Sequence, residues 1–323
     1  MAEWLIERGI GETRRVLVED GRIIEARVEL DGVVPAGTII AARLVTIGHS
    51  GRNAIARTGD GAEYLLPHTP PGVSEGGTIS VEVTRETIPG NEPWKRPLAR
   101  ATDAAPAAPP RQAGATLLPF PSPGIDALEA AGWSDLLAEA ASGMVEFAGG
   151  RLRIVPTPAM ILIDVDGTLP AAELAVAGAR ASGEAIRRMG LAGSIGIDLP
   201  TTPGKAVRQA AADAIDAALP PPFERTAVNG FGFVQIIRPR ARASLVELYS
   251  GERADAEARA LLRRAATDSR TGAKRLVAHP AVIARLERHA DWIEMLAAQV
   301  GGAIALRGDA SLGMGAGHAE PFA

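Results

Sequence analysis

Hydrophobic and polar positions alternate in short runs through residues 1–100. Gly- and Asp-rich turn signals separate these runs, several of which are rich in β-branched residues. The runs predict strands near residues 15–18, 23–28, 38–45 and 79–84. Many short strands at this spacing are typical of a small barrel or sandwich.

From residue 125 onward, strand-like and helix-like patterns alternate, which predicts an α/β layer. The predicted helices span residues 125–142, 171–189, 203–219, about 253–267 and 280–299. The predicted strands are a hairpin at 144–147 and 152–155, followed by 160–165, 194–199, 232–237 and 303–306. We therefore expect an α+β fold in four parts. These are a β-rich region at 1–103, an Ala- and Pro-rich linker of little order at 104–124, an α/β domain at 125–250 and a small C-terminal α/β subdomain at 251–323.

The composition is that of an ordinary soluble globular protein, with 323 residues, 46% hydrophobic and 22% charged. The absence of cysteine excludes disulfides and cysteine-ligated zinc, and it fits a reducing compartment. A net charge of −4 lacks the basic excess common in nucleic-acid binders, but a local basic groove can coexist with it. No signal peptide or membrane-length apolar run is evident, so we expect a cytoplasmic protein without a membrane anchor.

Two of the predicted buried strands end in aspartate. Asp164 and Asp166 end the first, and Asp198 ends the second. Ligand sites of α/β sheets form at the carboxyl ends of strands. Neighbouring carboxylates repel each other, so a cation is needed to hold them together, and oxygen ligands suit Mg²⁺. The alternative is that these side chains cap neighbouring helices or begin turns.

Three motifs follow one another within residues 148–246: GGRLRIVPTPAMILIDVDG, LAGSIGIDLPTT and ERTAVNGFGFVQIIRPRARASL. Their order and spacing resemble the catalytic domain of the ribonuclease E/G family. The resemblance implies a ribonuclease-H-like sheet and an endoribonuclease of RNA processing or decay. It also implies that Asp164 and Asp198 bind Mg²⁺, with Mn²⁺ as the alternative, and that metal-activated water cleaves single-stranded RNA. Asp166 stands where the family usually has Asn, and it becomes a third candidate catalytic residue.

The resemblance also suggests RNA contacts. Phe231 lies in the family's loop before a strand, and Arg238 and Arg240 follow that strand. The N-terminal region resembles, less sharply, the family's embedded OB-fold. Tyr64 there matches an aromatic RNA-contact position, and Lys95 is a candidate backbone contact. The alternatives are a solvated face for the arginines and ordinary packing for Tyr64.

Two features of the family are missing from the sequence. The segment that holds its 5′-monophosphate pocket is replaced by the Ala- and Pro-rich linker, so we expect cleavage that does not depend on the 5′ end. The Cys-x-x-Cys zinc link between subunits is also absent, so any homo-oligomer must be held by other contacts.

The segment ILIDVDGTL also matches the first motif of haloacid-dehalogenase-like phosphatases. In that alternative, Asp164 is the nucleophile, Asp166 donates a proton and Asp309 holds Mg²⁺. The phosphatase hypothesis leaves LAGSIGIDLPTT and the loop around Phe231 unexplained. A third hypothesis is a relative that binds RNA without cleaving it.

Overall fold

The computed structural model describes residues 1–89, 95–110, 112–122 and 124–322. The strands are β1 (Glu3–Arg8), β2 (Glu12–Glu19), β3 (Arg22–Leu30), β4 (Ile39–Thr46), β5 (Arg52–Arg57), β6 (Glu63–His68), β7 (Thr78–Arg85), β8 (Leu98–Thr102), β9 (Thr116–Leu118), β10 (Met144–Phe147), β11 (Gly150–Pro156), β12 (Ile161–Gly167), β13 (Gly193–Asp198), β14 (Glu224–Arg225), β15 (Phe233–Arg238), β16 (Lys274–Ala278), β17 (Ile304–Gly308) and β18 (His318–Pro321). The helices are α1 (Ala127–Ala130), α2 (Trp133–Ser142), α3 (Ala171–Arg188), α4 (Lys205–Ala218), α5 (Leu245–Gly251), α6 (Arg253–Thr267), α7 (Pro280–Leu286) and α8 (Ala290–Val300).

The chain forms two compact units. The barrel unit comprises residues 32–113 and 239–243, and the larger unit comprises 1–31, 114–238 and 244–323. These bounds differ from the four predicted parts, because the first three strands belong to the larger unit rather than to the β-rich region that follows them. The mixed α+β class expected from the sequence is confirmed.

The barrel unit is built on a closed five-stranded barrel in the order β4-β5-β6-β8-β7. Alternate residues of each strand point inward, as the two-residue period of a strand requires. These inward residues fill the interior of the barrel: Ala42, Leu44, Ala54, Ala56, Tyr64, Leu66, Ile79, Val81, Val83 and Ala99. The small barrel predicted from the spacing of the strands is therefore confirmed.

The main sheet of the larger unit has six strands in the order β10-β11-β12-β13-β15-β14. Strands β12 and β13 are parallel, and the other neighbours are antiparallel. One face is buried by α3, which packs on β11 and β12. Gly178 of α3 allows this close approach, since a Cβ there would lie 2.3 Å from Cγ1 of Val165. We call the other face of this sheet the open face.

Two smaller sheets complete the larger unit, in the orders β3-β2-β1-β9 and β17-β16-β18. Part of the predicted linker is strand rather than loop, because Thr116–Leu118 pairs in parallel with β1 through Leu5↔Thr116. The single helix predicted for residues 280–299 is two helices, α7 and α8, separated by a turn in which His289 N donates to Leu286 O at 3.0 Å.

A set of buried charged residues joins β1 and β2 to α6 in the larger unit. Glu7 Oε1 lies 2.7 Å from Arg14 Nη1 and 3.0 Å from Arg263 Nε. Glu12 bridges Arg14, at 2.8 Å, and Arg259, at 2.9 Å. We call these five residues, together with Asp126, the buried charge cluster. Across the described residues, no helix is both long and apolar enough to span a membrane.

Candidate active site

The three candidate aspartates all lie on the open face. Asp164 and Asp198 are direct partners in the register of the parallel strands β12 and β13. Asp166 follows Asp164 by two residues and therefore shares its face. Ile163 and Ile197 precede the pair and are buried on the opposite face, which leaves both carboxylates exposed. The parallel pairing thus brings together the two strand ends that the sequence singled out, about 4.8 Å apart between strand axes.

These carboxylates are not held in an ion pair by any residue that the structure describes. Within the ranges that the structure describes, Asp164, Asp166 and Asp198 make no hydrogen bond or ion pair. No group of three or more His, Asp or Glu side chains among the described residues is arranged to enclose a metal. Mg²⁺ often takes only one or two protein carboxylates and completes its shell with water and substrate phosphates. The donor set of Asp164 and Asp198 therefore fits Mg²⁺ in that mode.

An exposed aromatic ring lies on a fixed loop beside this pair. Phe231 is 80% exposed, although its backbone is held. Asn229 Oδ1 accepts from Phe231 N at 2.9 Å, and Thr201 Oγ1 donates to Phe231 O at 3.0 Å. Gly232 has φ +93° and leaves no room for a side chain, because a Cβ would lie 2.2 Å from Leu199 O. The predicted contact residue Phe231 is thus anchored to the segment that follows Asp198.

Sequence reasoning missed two arginines on the same face. Arg153 is the register partner of Asp164 on β11, and Arg151 is the partner of Asp166. Both arginines are exposed, whereas Leu152 between them is fully buried. The alternation of Arg with apolar residues in GGRLRIV was the available signal. It shows that the arginines share a face, but not that the aspartates lie next to them.

A cleft of about 570 Å³ opens at this edge of the sheet. Its charged lining side chains are Glu146, Arg151 and Asp166. Glu146 is also the register partner of Arg151 across the β10–β11 hairpin. Charged side chains therefore extend from Asp164 and Asp198 across the sheet into this cleft.

The remainder of the open face is more apolar. Val155 and Leu162 are register partners and are 42% and 39% exposed. Ile237, farther along β15, is 48% exposed. The open face thus has a charged part around the aspartates and an apolar part toward the other end of the strands, an arrangement that suits a ligand with both ionic and flat apolar groups.

Arg238, which the sequence predicts as an RNA contact, lies away from the aspartates. It pairs in register with Gly193, whereas Asp198 pairs with Phe233 at the other end of the same two strands. Five strand residues span roughly 17 Å. Arg238 Nη1 donates to Leu191 O at 3.0 Å, and burial lowers the pKa of its guanidinium. Its role in this structure is to satisfy a backbone carbonyl.

The other predicted RNA contacts lie in the barrel unit. Tyr64 is only 3% exposed, and the surrounding core raises the pKa of its hydroxyl. The predicted stacking role of Tyr64 is therefore corrected to core packing, because its position in β6 points inward. Lys95 is exposed shortly before β8. Arg240 is partly buried near Arg85, whose pKa is lowered by burial and by the charge of Arg240.

The phosphatase alternative requires Asp309 next to Asp164 and Asp166. Asp309 instead follows β17 in the three-stranded sheet, and its carboxylate accepts from Ser311 Oγ at 2.6 Å and from Ser311 N at 3.0 Å. These hydrogen bonds lower the pKa of Asp309. Among the described residues, Asp309 does not form a three-carboxylate group with the other two.

Comparison of the sequence with protein-family models gave no match, and comparison with curated proteins also gave no match. The ribonuclease resemblance of residues 148–246 therefore stays a prediction.

Proposed function

We propose that the protein is a Mg²⁺-dependent endoribonuclease that hydrolyses single-stranded RNA on the open face. The observation that carries this proposal is the in-register pair Asp164 and Asp198, two exposed carboxylates that make no ion pair with any described residue. Two adjacent carboxylates that are not held in ion pairs repel each other, and a bound divalent cation relieves this repulsion. The ordered motifs of residues 148–246 support the same assignment.

In this proposal, Asp164 and Asp198 hold the ion, and Mn²⁺ is the alternative metal. When bound, Mg²⁺ lowers the pKa of water and neutralises charge on the phosphate. Asp166 lies on the same face and accepts the proton that the attacking water loses. Water adds to phosphorus and the bond to the 3′ oxygen breaks. The leaving 3′ oxygen takes a proton from solvent, so the products are a 5′-phosphate and a 3′-hydroxyl.

Two features favour single-stranded RNA over a duplex. Phe231 offers an exposed ring, on which an unpaired base can stack. The apolar part of the open face, with Leu162 and Ile237, gives further bases a surface to contact. We also assign the closed barrel an OB-like single-strand-binding role and the six-stranded sheet a ribonuclease-H-like fold, as the resemblance implies. The barrel role rests on surface groups such as Lys95 and not on Tyr64.

The test uses an internally labelled single-stranded RNA with Mg²⁺ or with EDTA. The wild type is compared with Asp198→Asn, and with Asp309→Asn as a control at a partly buried aspartate outside the main sheet. Loss of a direct ligand should cost more than about 100-fold in rate, since even outer-shell partners of metal ligands are worth about 10–100-fold. Asp309→Asn should cleave like the wild type.

Absence of Mg²⁺-dependent cuts by the folded wild type would overturn the proposal. Retained RNA binding without cleavage would then favour the inactive RNA-binding relative. Release of phosphate from p-nitrophenyl phosphate that requires Asp309 would favour the phosphatase instead. A 5′-phosphorylated and a 5′-hydroxyl substrate should be cut at similar rates, because the chain lacks the family's 5′ pocket.

A further inference from the structure

Arg151 and Arg153 lie on the open face, and neither guanidinium is bound by a residue that the structure describes. They occupy alternate positions of β11 and are exposed, while Leu152 and Ile154 are buried on the opposite face. The structure describes no hydrogen bond or ion pair for either guanidinium within the residues it covers. Unpaired arginines facing carboxylates across a strand leave their donors available for a ligand.

The charges around them explain which ligand fits. Four carboxylates, from Glu146, Asp164, Asp166 and Asp198, stand against these two guanidiniums, which leaves two negative charges. One divalent cation bound by Asp164 and Asp198 cancels this excess. The site is then neutral overall, and the N–H donors of the two arginines, which make no hydrogen bond among the described residues, can bind the oxygens of an approaching phosphodiester.

The spacing suits more than one phosphate. Residues two apart on a strand are separated by roughly 6.8 Å. Successive phosphates of an extended single strand lie at a similar distance. Arg153 stands beside Asp164, and Arg151 continues into the cleft of about 570 Å³. Gly149, Gly150 and Gly167 also line that cleft.

We propose that Arg153 and Arg151 form a phosphate-binding subsite that leads a single RNA strand onto Asp164 and Asp198. Arg153 contacts the phosphate at or next to the cut, and Arg151 contacts the neighbouring phosphate in the cleft. A guanidinium can bind each phosphate with two parallel hydrogen bonds. The claim that the two arginines position RNA for cleavage rests on the proposed function. Their binding of phosphate can be measured without catalysis.

The test measures affinity for a single-stranded RNA in EDTA, where metal-dependent cleavage is stopped, at several salt concentrations. Arg153→Ala should weaken binding about tenfold and reduce the slope of log affinity against log salt by about 0.7, the value for one phosphate contact on a single strand. Arg153→Lys should keep most of the slope but not all of the affinity, because Lys keeps the charge without the paired donors. Arg180→Ala is the matched control, since Arg180 is an exposed arginine on α3, which covers the opposite face.

Cleavage kinetics in Mg²⁺ supply the second readout. Arg153→Ala and Arg151→Ala should each raise KM about tenfold and change kcat by less than about threefold, as expected for a binding contact. If both alanine variants have the same affinity, salt slope and KM as the wild type, the subsite is overturned, even if the wild type cleaves RNA. If the alanine variants lose affinity and salt slope as expected but the wild type does not cleave RNA, the proposed function is overturned and the phosphate-binding subsite is supported. Arg153→Gln, which removes the charge with less loss of volume, repeats the comparison if Arg153→Ala does not fold.

Discussion

Substitution of Arg263 with Met tests how the buried charge cluster stabilises the larger unit. The Arg263 side chain is 4% exposed, and its Nε lies 3.0 Å from Glu7 Oε1. Its Nη2 lies 2.7 Å from both carboxylate oxygens of Asp126. One guanidinium thus ties α6 to the first strand and to the N-cap of α1, which are distant in sequence.

The expected cost follows from the charges left behind. Without Arg263, Glu7 keeps only Arg14 as a close cationic partner among the described residues, in a site where its own side chain is 2% exposed. Removal of one partner from a buried ion pair costs about 3–5 kcal/mol, because an uncompensated charge stays in the interior. Domains of this kind have a free energy of unfolding of about 5–15 kcal/mol, so the loss should be large.

Urea unfolding followed by tryptophan fluorescence measures this loss. Trp4, Trp133 and Trp292 all lie in the larger unit, so the signal reports mainly on it. Arg275→Met is the control, since Arg275 pairs with Glu320 at 3.2 Å with side-chain exposures of 37% and 35%. An exposed pair of this kind contributes about 0–1 kcal/mol. Equal losses in the two variants would refute the reasoning that burial of the ion pair makes it important.

Two further predictions concern the barrel and the acid response. Tyr64→Ala should lower the free energy of unfolding by about 3–5 kcal/mol, because it leaves a cavity in the barrel core. Tyr64→Phe should keep both the stability and the RNA affinity of the wild type. A several-fold loss of RNA affinity in Tyr64→Phe would contradict the packing role. Asp268 accepts hydrogen bonds from Arg270 and lies 3.3 Å from Lys274 Nζ, and these contacts lower its pKa. Because its folded-state pKa lies below the unfolded value of about 3.9, the stability it adds is present above that pH and is lost as the pH falls. The difference in urea stability between the wild type and Asp268→Asn should therefore be larger at pH 7 than at pH 3, and a constant difference would argue against this role.

Local periodicity determined much of this fold from the sequence. The apolar run that ends in Asp164 predicts β12, and the spacing over 171–189 predicts α3, because each element must bury one face at its own period. The apolar runs also predicted that Asp164 and Asp198 lie at the ends of their strands. The spacing of turn signals in the first hundred residues predicted short strands in a small barrel or sandwich, and the structure shows that five of them close into a barrel.

Only the tertiary structure decided which strands are neighbours and which face is covered. A two-residue period shows that Tyr64 and Leu66 share a face, but closure of the barrel makes that face the interior. Pairing of β12 with β13 sets Asp164 beside Asp198, and antiparallel pairing with β15 puts Arg238 at the far end. Pairing of β11 with β12 likewise brings Arg153 next to Asp164. These outcomes depend on contacts between residues far apart in the chain, and no local pattern of hydrophobic and polar positions contains that information.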